Sequence, residues 1–261
     1  MKIGVIGLGK LGSVLAEVLA EHNEVVGVDK GDDFSVLKDC EVVFNVVNTP
    51  SLPNGDFSNE FLFKSIEQAK PYLNKYKIFV VVCTVMPGTC RKIRKMLDCK
   101  VCYNPEFIRL NSIKEDMKNP DFVLIGEEDG YSGRVIEDIY RQFTDAHIKL
   151  MSWESAELAK ISLNSYITMK ITFANVIGQI AEKIGADAER ILNAIGTDHR
   201  IGNDYFKHGG AYGGPCFPRD NIVFSNIAGD IKNYAKLTDE INKEIAKTSY
   251  FSNEERYMNV I

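Results

Sequence analysis

The segment KIGVIGLGKLGSVLAEVLA, residues 2–20, sets how the whole chain is read. An apolar run, Lys2–Ile6, leads straight into Gly7-Leu8-Gly9-Lys10-Leu11-Gly12, and a helical pattern opens at Lys10. Strand, G-x-G-x-x-G and helix in that order form a dinucleotide-binding fingerprint. Gly7 permits the tight turn, Gly9 lets backbone approach a pyrophosphate, and Gly12 lets helix and strand lie close. The helix start offers N–H groups and positive potential to phosphates, so Lys10 and Leu11 fall inside the cofactor-binding turn. Asp29 ends the next expected strand, Glu24–Val28. Its carboxylate can accept from both ribose hydroxyls and repels a 2′-phosphate, which favours NAD over NADP. Neighbouring Lys30 weakens that preference. The same segment could pass for a signal peptide, but Lys10 and the glycines interrupt its apolar run.

Outward from this point, short apolar runs alternate with amphipathic stretches over the first 150 residues. Expected strands are Lys2–Ile6, Glu24–Val28, Glu41–Val46, Ile78–Cys83, Lys100–Tyr103 and Phe122–Ile125. Helical patterns cover Lys10–Glu21, Ser58–Leu73, Thr89–Leu97 and Gly133–Phe143. This rhythm predicts an α/β, Rossmann-like, mostly parallel sheet with helices on both faces. The crossover from Asp29 to Cys40 is short. Asn48-Thr49-Pro50, Thr84 with Met86-Pro87-Gly88, and Asn104-Pro105-Glu106 all follow strand ends, the edge over which open α/β sheets bind ligands. Each alone is ordinary loop punctuation; together they outline one rim of a cleft.

The character changes near residue 150. Trp153 to about Ile184 reads as one long helix, with Asn175 and Gly178 as weak interruptions. Further helices are expected at Ala188–Ile195, Asp220–Ala228 and roughly Ile231–Lys247, and the tail shows no clear element. The organisation expected is therefore residues 1–150, a nucleotide-binding domain, followed by residues 151–261, a mainly α-helical domain with a long central helix.

Composition narrows the function classes. A net charge of −5 over 261 residues gives no electrostatic footprint for nucleic acid. No run of 18 apolar residues is present, so no membrane span is expected. Among the six cysteines one C-x-x-C spacing occurs, Cys99 and Cys102 on either side of a short run, without the density of a secreted scaffold, and a reducing, cytoplasmic setting is the simplest account. The four histidines show no metal-ligand spacing.

One cysteine stands apart. Cys216 lies in HGGAYGGPCFPRD, residues 208–220, a bend unsuited to helix or strand. A helix beginning near Pro218 would favour a thiolate at Cys216 through its N-terminal dipole, and Arg219 would add to this. A nucleophilic thiol beside a nicotinamide site points to covalent aldehyde oxidation. On the long helix, Glu157, Lys160 and Asn164 share a face, and the plainer reading of Lys160 alone is an exposed Glu–Lys pair worth a few tenths of a kcal/mol. Asp198 and Arg200 read as an ordinary surface ion pair.

The order GLGKLG, VVNTP, CTVMPGT, YNPEFIR, ESAELAKISLN, DHRIG and GGPCFPRD resembles the UDP-glucose/GDP-mannose dehydrogenases over most of the chain. The resemblance implies a two-step oxidation of a nucleotide sugar's C6 alcohol to a carboxylate, using two NAD. It implies Cys216 as nucleophile, Lys160 as oxyanion stabiliser, Asp220 and Asn164 around the water, and Glu106 as acid/base. It implies that Thr49 and Thr84 contact cofactor, and that Phe107, Lys207 and Gly213 meet substrate. Arg200 matches an arginine that reaches a neighbouring subunit's site, and a homodimer built on the long helix follows.

Three departures accompany the resemblance. Relatives carry a longer segment between the positions of Asp29 and Asn48, so a smaller sheet with Glu24–Val28 at its edge is expected. Leu110 replaces the glutamate of the relatives' PEF-x-x-E. Relatives continue into a third, nucleotide-gripping domain, which a separate chain could supply. Two other readings stay open: a β-hydroxyacid dehydrogenase making a single hydride transfer, with no need of Cys216, and a non-catalytic nucleotide-binding relative.

Overall fold

A computed structural model describes residues 1–109, 111–229 and 234–248. Leu110, the start of the helix expected from Ile231, and the tail lie outside the described residues. The chain forms two compact units, Met1–Lys160 and a second beginning at Ile161.

The first unit is built on a seven-stranded sheet. Its strands are β1 (Lys2–Ile6), β2 (Glu24–Val28), β3 (Val42–Asn45), β4 (Ile78–Val81), β5 (Lys100–Tyr103), β6 (Phe122–Gly126) and β7 (His147–Met151). Their order is β2-β1-β3-β4-β5-β6-β7. The first five run parallel, β6 meets β5 antiparallel through the single pair Tyr103↔Gly126, and β7 runs parallel to β6. β2 is an edge, as the short crossover implies.

The helices of this unit are α1 (Lys10–Ala20), α2 (Glu60–Ala69), α3 (Thr89–Met96), α4 (Ile113–Lys118) and α5 (Ser132–Tyr140), with the start of α6 (Trp153–Ile184). Successive strand side chains point to opposite faces. Val42, Phe44, Ile78, Val80 and Cys102 therefore join one core, closed by Leu15, Val18 and Leu19 of α1 and Ile136 and Ile139 of α5. Val43, Phe79, Val81, Val101 and Tyr103 join the other, closed by Leu62 and Ile66 of α2, Ile93 of α3 and Trp153 of α6. Burial on both faces makes these strands continuous apolar runs rather than alternating ones.

The short β2–β3 connection folds as a 3-10 helix, Phe34–Asp39, whose Phe34 and Leu37 are buried in the second of these cores. It fits closely, because a Cβ at Gly4 of β1 would stand 2.6 Å from Leu37. Buried Lys77 donates to the carbonyls of Leu37, at 2.9 Å, and Lys38, at 2.5 Å, satisfying the end of this turn.

Two elements were not expected: α4 and β7. The helix expected over Ser58–Leu73 is interrupted, with α2 ending at Ala69 and a 3-10 turn over Lys70–Tyr72. Pro71 supplies the reason, since it lacks the N–H an α-helix needs at that position.

The second unit contains α6 from Ile161 onward, α7 (Ala188–Gly196), α8 (Phe217–Ala228) and α9 (Tyr234–Thr248). Among the described residues, no helix is long and apolar enough to cross a membrane.

Candidate active site

In the first unit, parallel pairing of β1 to β5 sets Gly7, Asp29, Thr49, Thr84 and Glu106 along one edge of the sheet, beyond the strands' C-terminal ends. The chain departs to opposite sides of β1, into β2 and then β3, so the topological switch point lies between β1 and β3. The fingerprint occupies that point.

Its glycines meet distinct demands. Gly7 has φ +90°, and a Cβ there would stand 2.7 Å from the Val46 carbonyl oxygen. A Cβ at Gly12 would overlap the Gly7 carbonyl oxygen outright. Gly9 caps α1 with no side-chain hydrogen bond, and nothing lies within 4 Å of its Cβ position. The helix start thus faces open space with its N–H groups available to an anion. Lys10 is exposed beside it and Leu11 is half-buried.

Asp29 is exposed at the end of β2; its Oδ2 accepts from Leu8 N at 3.3 Å and its Oδ1 from the N–H of exposed Lys30 at 2.8 Å. Thr49 donates through Oγ1 to the Thr84 carbonyl at 2.7 Å, joining the loops after β3 and β4. The glycine cradle, the open helix start and a carboxylate on the next strand fit a dinucleotide.

Farther along the same edge, Lys160 donates through Nζ to the Glu106 carbonyl oxygen at 2.7 Å and lies over the Phe107 ring, 4.6 Å from its centroid. Glu106 Oε1 sits 2.7 Å from the Tyr140 hydroxyl. Burial is the main influence on Glu106 and raises its pKa, against the lowering effects of the Tyr140 hydrogen bond and Lys160.

The expected Glu157–Lys160 surface pair is absent. Glu157 is fully buried and accepts from Gly88 N at 2.5 Å and Cys90 N at 2.8 Å, capping α3. Helical spacing made the two side chains neighbours; two orphan N–H groups at the α3 start and a carbonyl at Glu106 drew them apart. Burial raises the Glu157 pKa, and those N–H groups oppose the shift.

In the second unit, α8 begins at Phe217 with Cys216 as its N-cap. Cys216 is an exposed thiol, whereas the other five cysteines are buried. One turn on, Asp220 is 1% exposed and accepts from Asn164 Nδ2 of α6 at 2.6 Å, while Arg219 Nε lies 3.4 Å from its Oδ1. The Asp220 N–H donates to the Cys216 carbonyl at 2.8 Å, fixing the sulfur's backbone to the acid's. Lys207 is exposed and Gly213 half-buried on the preceding bend. Arg200 is exposed and forks onto Asp198, with Nε and Nη2 reaching its two oxygens at 3.1 Å or less.

The bend itself is held by residues that sequence reasoning set aside. Buried Asn175 of α6 accepts from Gly209 N at 2.7 Å and Gly210 N at 3.3 Å, and donates to Gly210 O at 2.7 Å. A Cβ at Gly178 would stand 2.8 Å from His208 Nδ1. The two interruptions of the long helix are therefore its docking points for the bend. An amide and a glycine three apart on an otherwise apolar face were the available signal. Tyr212, farther round the bend, donates to Asp239 of α9, and Asn242 brackets its backbone at 2.8 and 3.1 Å. Among the described residues no cluster of three or more His, Cys, Asp or Glu could hold a metal ion.

The fold and the glycine cradle define the first unit as a dinucleotide-binding module of the dehydrogenase kind. Comparison with known proteins gives the family. Residues 31–144 match the NAD binding domain of the UDP-glucose/GDP-mannose dehydrogenase family, and residues 154–244 match its central domain. The chain belongs to that family. It is 34% identical to UDP-glucose 6-dehydrogenase of Rickettsia bellii, over 84% of this chain and 50% of that protein. It is 32% identical to the uncharacterized protein MJ1054 of Methanocaldococcus jannaschii, over 86% of this chain and 30% of that one. The solved UDP-glucose dehydrogenase of Pyrobaculum islandicum superposes with a TM-score of 0.84 at 25% identity, covering 95% of this chain and 68% of that one. The chain thus spans half the length of the Rickettsia enzyme or less of these curated relatives.

Proposed function

We propose that the chain acts as an NAD-dependent oxidoreductase that converts the C6 alcohol of a nucleotide sugar, UDP-glucose or a close analogue, to a carboxylate through Cys216. The observation that carries this reading is a single exposed thiol at a helix N-cap, among five buried ones, with a buried acid held one turn away.

Bound NAD supplies the hydride acceptor for both oxidations. Gly7, Gly9, Lys10, Leu11 and Gly12 hold its pyrophosphate at the α1 start, Asp29 and Lys30 meet its ribose, and Thr49 and Thr84 touch it from neighbouring strand ends. The α8 N-terminus favours a thiolate at Cys216, which adds to the aldehyde carbon left by the first oxidation. Lys160 stabilises the oxyanion so formed. The second oxidation leaves a thioester on the sulfur. Water held by Asp220 and Asn164 adds to that carbonyl, Glu106 relays the proton, and the carbon–sulfur bond breaks to give carboxylate and thiol. Phe107, Lys207 and Gly213 contact the sugar nucleotide.

Arg200 reaches the site of a second copy in a homodimer formed on α6. That helix presents Tyr166, Phe173 and Ile180 seven residues apart, each nearly half exposed, the spacing of a helix–helix seam. A reducing, cytoplasmic setting suits six thiols with no disulfide.

The test counts NADH per product over a panel of sugar nucleotides. Two NADH per carboxylate are expected, with the second oxidation lost in Cys216→Ala. One NADH per turnover and unimpaired Cys216→Ala would assign a single hydride transfer instead. NAD binding by calorimetry, with no sugar nucleotide oxidised even after addition of any co-purifying partner, would assign a binding role only.

A further inference from the structure

Glu106 belongs to a chain of hydrogen bonds that runs away from the sheet edge into the core. Its Oε1 lies 2.7 Å from the Tyr140 hydroxyl, and that hydroxyl lies 2.7 Å from Asn104 Oδ1. Asn104, 1% exposed, donates through Nδ2 to the Leu124 carbonyl at 2.9 Å. This last bond fixes the amide, because turning it over would set two carbonyl oxygens against each other. Tyr140 therefore stands between two acceptors, and a phenol has one proton to give. Burial raises its pKa well above the ordinary tyrosine range, so it keeps that proton.

The count of protons and acceptors leaves two arrangements. With Glu106 protonated, the carboxyl donates to the Tyr140 oxygen, Tyr140 donates to Asn104 Oδ1, and every member is satisfied. With Glu106 ionised, Tyr140 must turn its proton toward the carboxylate, and Asn104 Oδ1 is left buried without a donor. Such an orphaned acceptor is costly.

We propose that Tyr140 and Asn104 are positioning residues that form a proton switch behind Glu106: the hydroxyl turns each time the carboxyl gains or loses its proton, and Asn104's demand for that proton holds Glu106 toward its neutral, proton-donating form. Two ionisable groups face the carboxyl among the described residues, Tyr140 from α5 and Lys160 from α6. Lys160 favours the ionised form and Asn104, through Tyr140, opposes it, so the carboxyl is balanced between states as an acid/base must be. That catalytic use of Glu106 rests on the function proposed above; the switch does not.

The experiment titrates Glu106 by carbon NMR in protein labelled at the glutamate carboxyl, the signal being assigned by its loss in Glu106→Gln. Asn104→Ala is expected to lower the carboxyl's proton affinity about tenfold, the worth of one neutral hydrogen bond. In the Tyr140→Phe background the same Asn104→Ala change is expected to have no effect, because the link is cut. This non-additivity is the signature of the relay. An Asn104 effect of equal size in both backgrounds, or none in either, would overturn the switch. Should Asn104→Ala fail to fold, Asn104→Leu fills the amide's volume and carries the same expectation. Failure of the enzymatic reading would appear as absent NADH with the titration cycle intact, and failure of the switch as the reverse.

Discussion

Removing Asn175 should loosen the cysteine-bearing bend by an amount that its hydrogen bonds define. Its side chain is 3% exposed and makes two short bonds, to Gly209 N and Gly210 O at 2.7 Å, and a longer one to Gly210 N at 3.3 Å. Gly210 is itself buried. Asn175→Ala therefore strands one carbonyl and at least one N–H, each worth about 1–3 kcal/mol when left bare. Water entering the space vacated by the amide recovers part of this. The expected loss is about 2–4 kcal/mol of second-unit stability. Urea unfolding followed by circular dichroism should show a lower midpoint at unchanged slope. The same variant should let a bulky thiol reagent reach Cys216 faster than in the parent. A loss under about 1 kcal/mol with unaltered Cys216 kinetics would refute the claim that Asn175 holds the bend.

Thiol counting should find Cys216 as the one fast-reacting cysteine of the native protein, because burial pushes Cys99 up to about 11 and Cys102 up to about 12; a second fast thiol before unfolding would contradict this. Gly12→Ala should abolish NAD binding by calorimetry and destabilise by about 1–3 kcal/mol, since its methyl group must displace the Gly7 carbonyl. Asp116→Asn tests an ion pair through pH. Arg109 holds the Asp116 carboxyl down to about 2, below its unfolded value, so the pair stabilises above the ordinary carboxylate range and loses that effect as pH falls toward 2. With Arg109 more than half exposed, screening cuts the expected loss in Asp116→Asn to about 1 kcal/mol at neutral pH, vanishing in acid; a difference that persists in acid would exclude the linkage.

What the sequence makes legible follows from how local each signal is. β3, β4 and β5 are buried on both faces, so they appear as unbroken apolar runs. β7 is an edge strand whose residues are exposed or half-buried throughout, and the alternation in its sequence HIKLM lasts only four residues before Met151 ends it, too short to stand out. α4 has six residues and buries Met117 alone, too little for a period to show. The fingerprint is readable because a glycine's role is set within a few residues of itself. The partners of Lys160 and Glu157 are not, because helical spacing says which side chains are neighbours and not which distant groups will claim them. Asn175 and Gly178 look like flaws in a helix for the same reason: the bend they receive lies far downstream, with Gly209 and Gly210 standing 34 and 35 residues beyond Asn175.

The edge position of β2 has a consequence for how such a chain can change. Strand pairing is satisfied on one flank of β2 and open on the other, and the 3-10 turn that follows is tied down by one lysine from the loop before β4. A strand-and-helix cassette spliced into that turn would extend the sheet outward without re-registering any of the six strands inside. The nucleotide-binding frame can grow or shed a module at this flank while its phosphate cradle, one strand inward, keeps its shape.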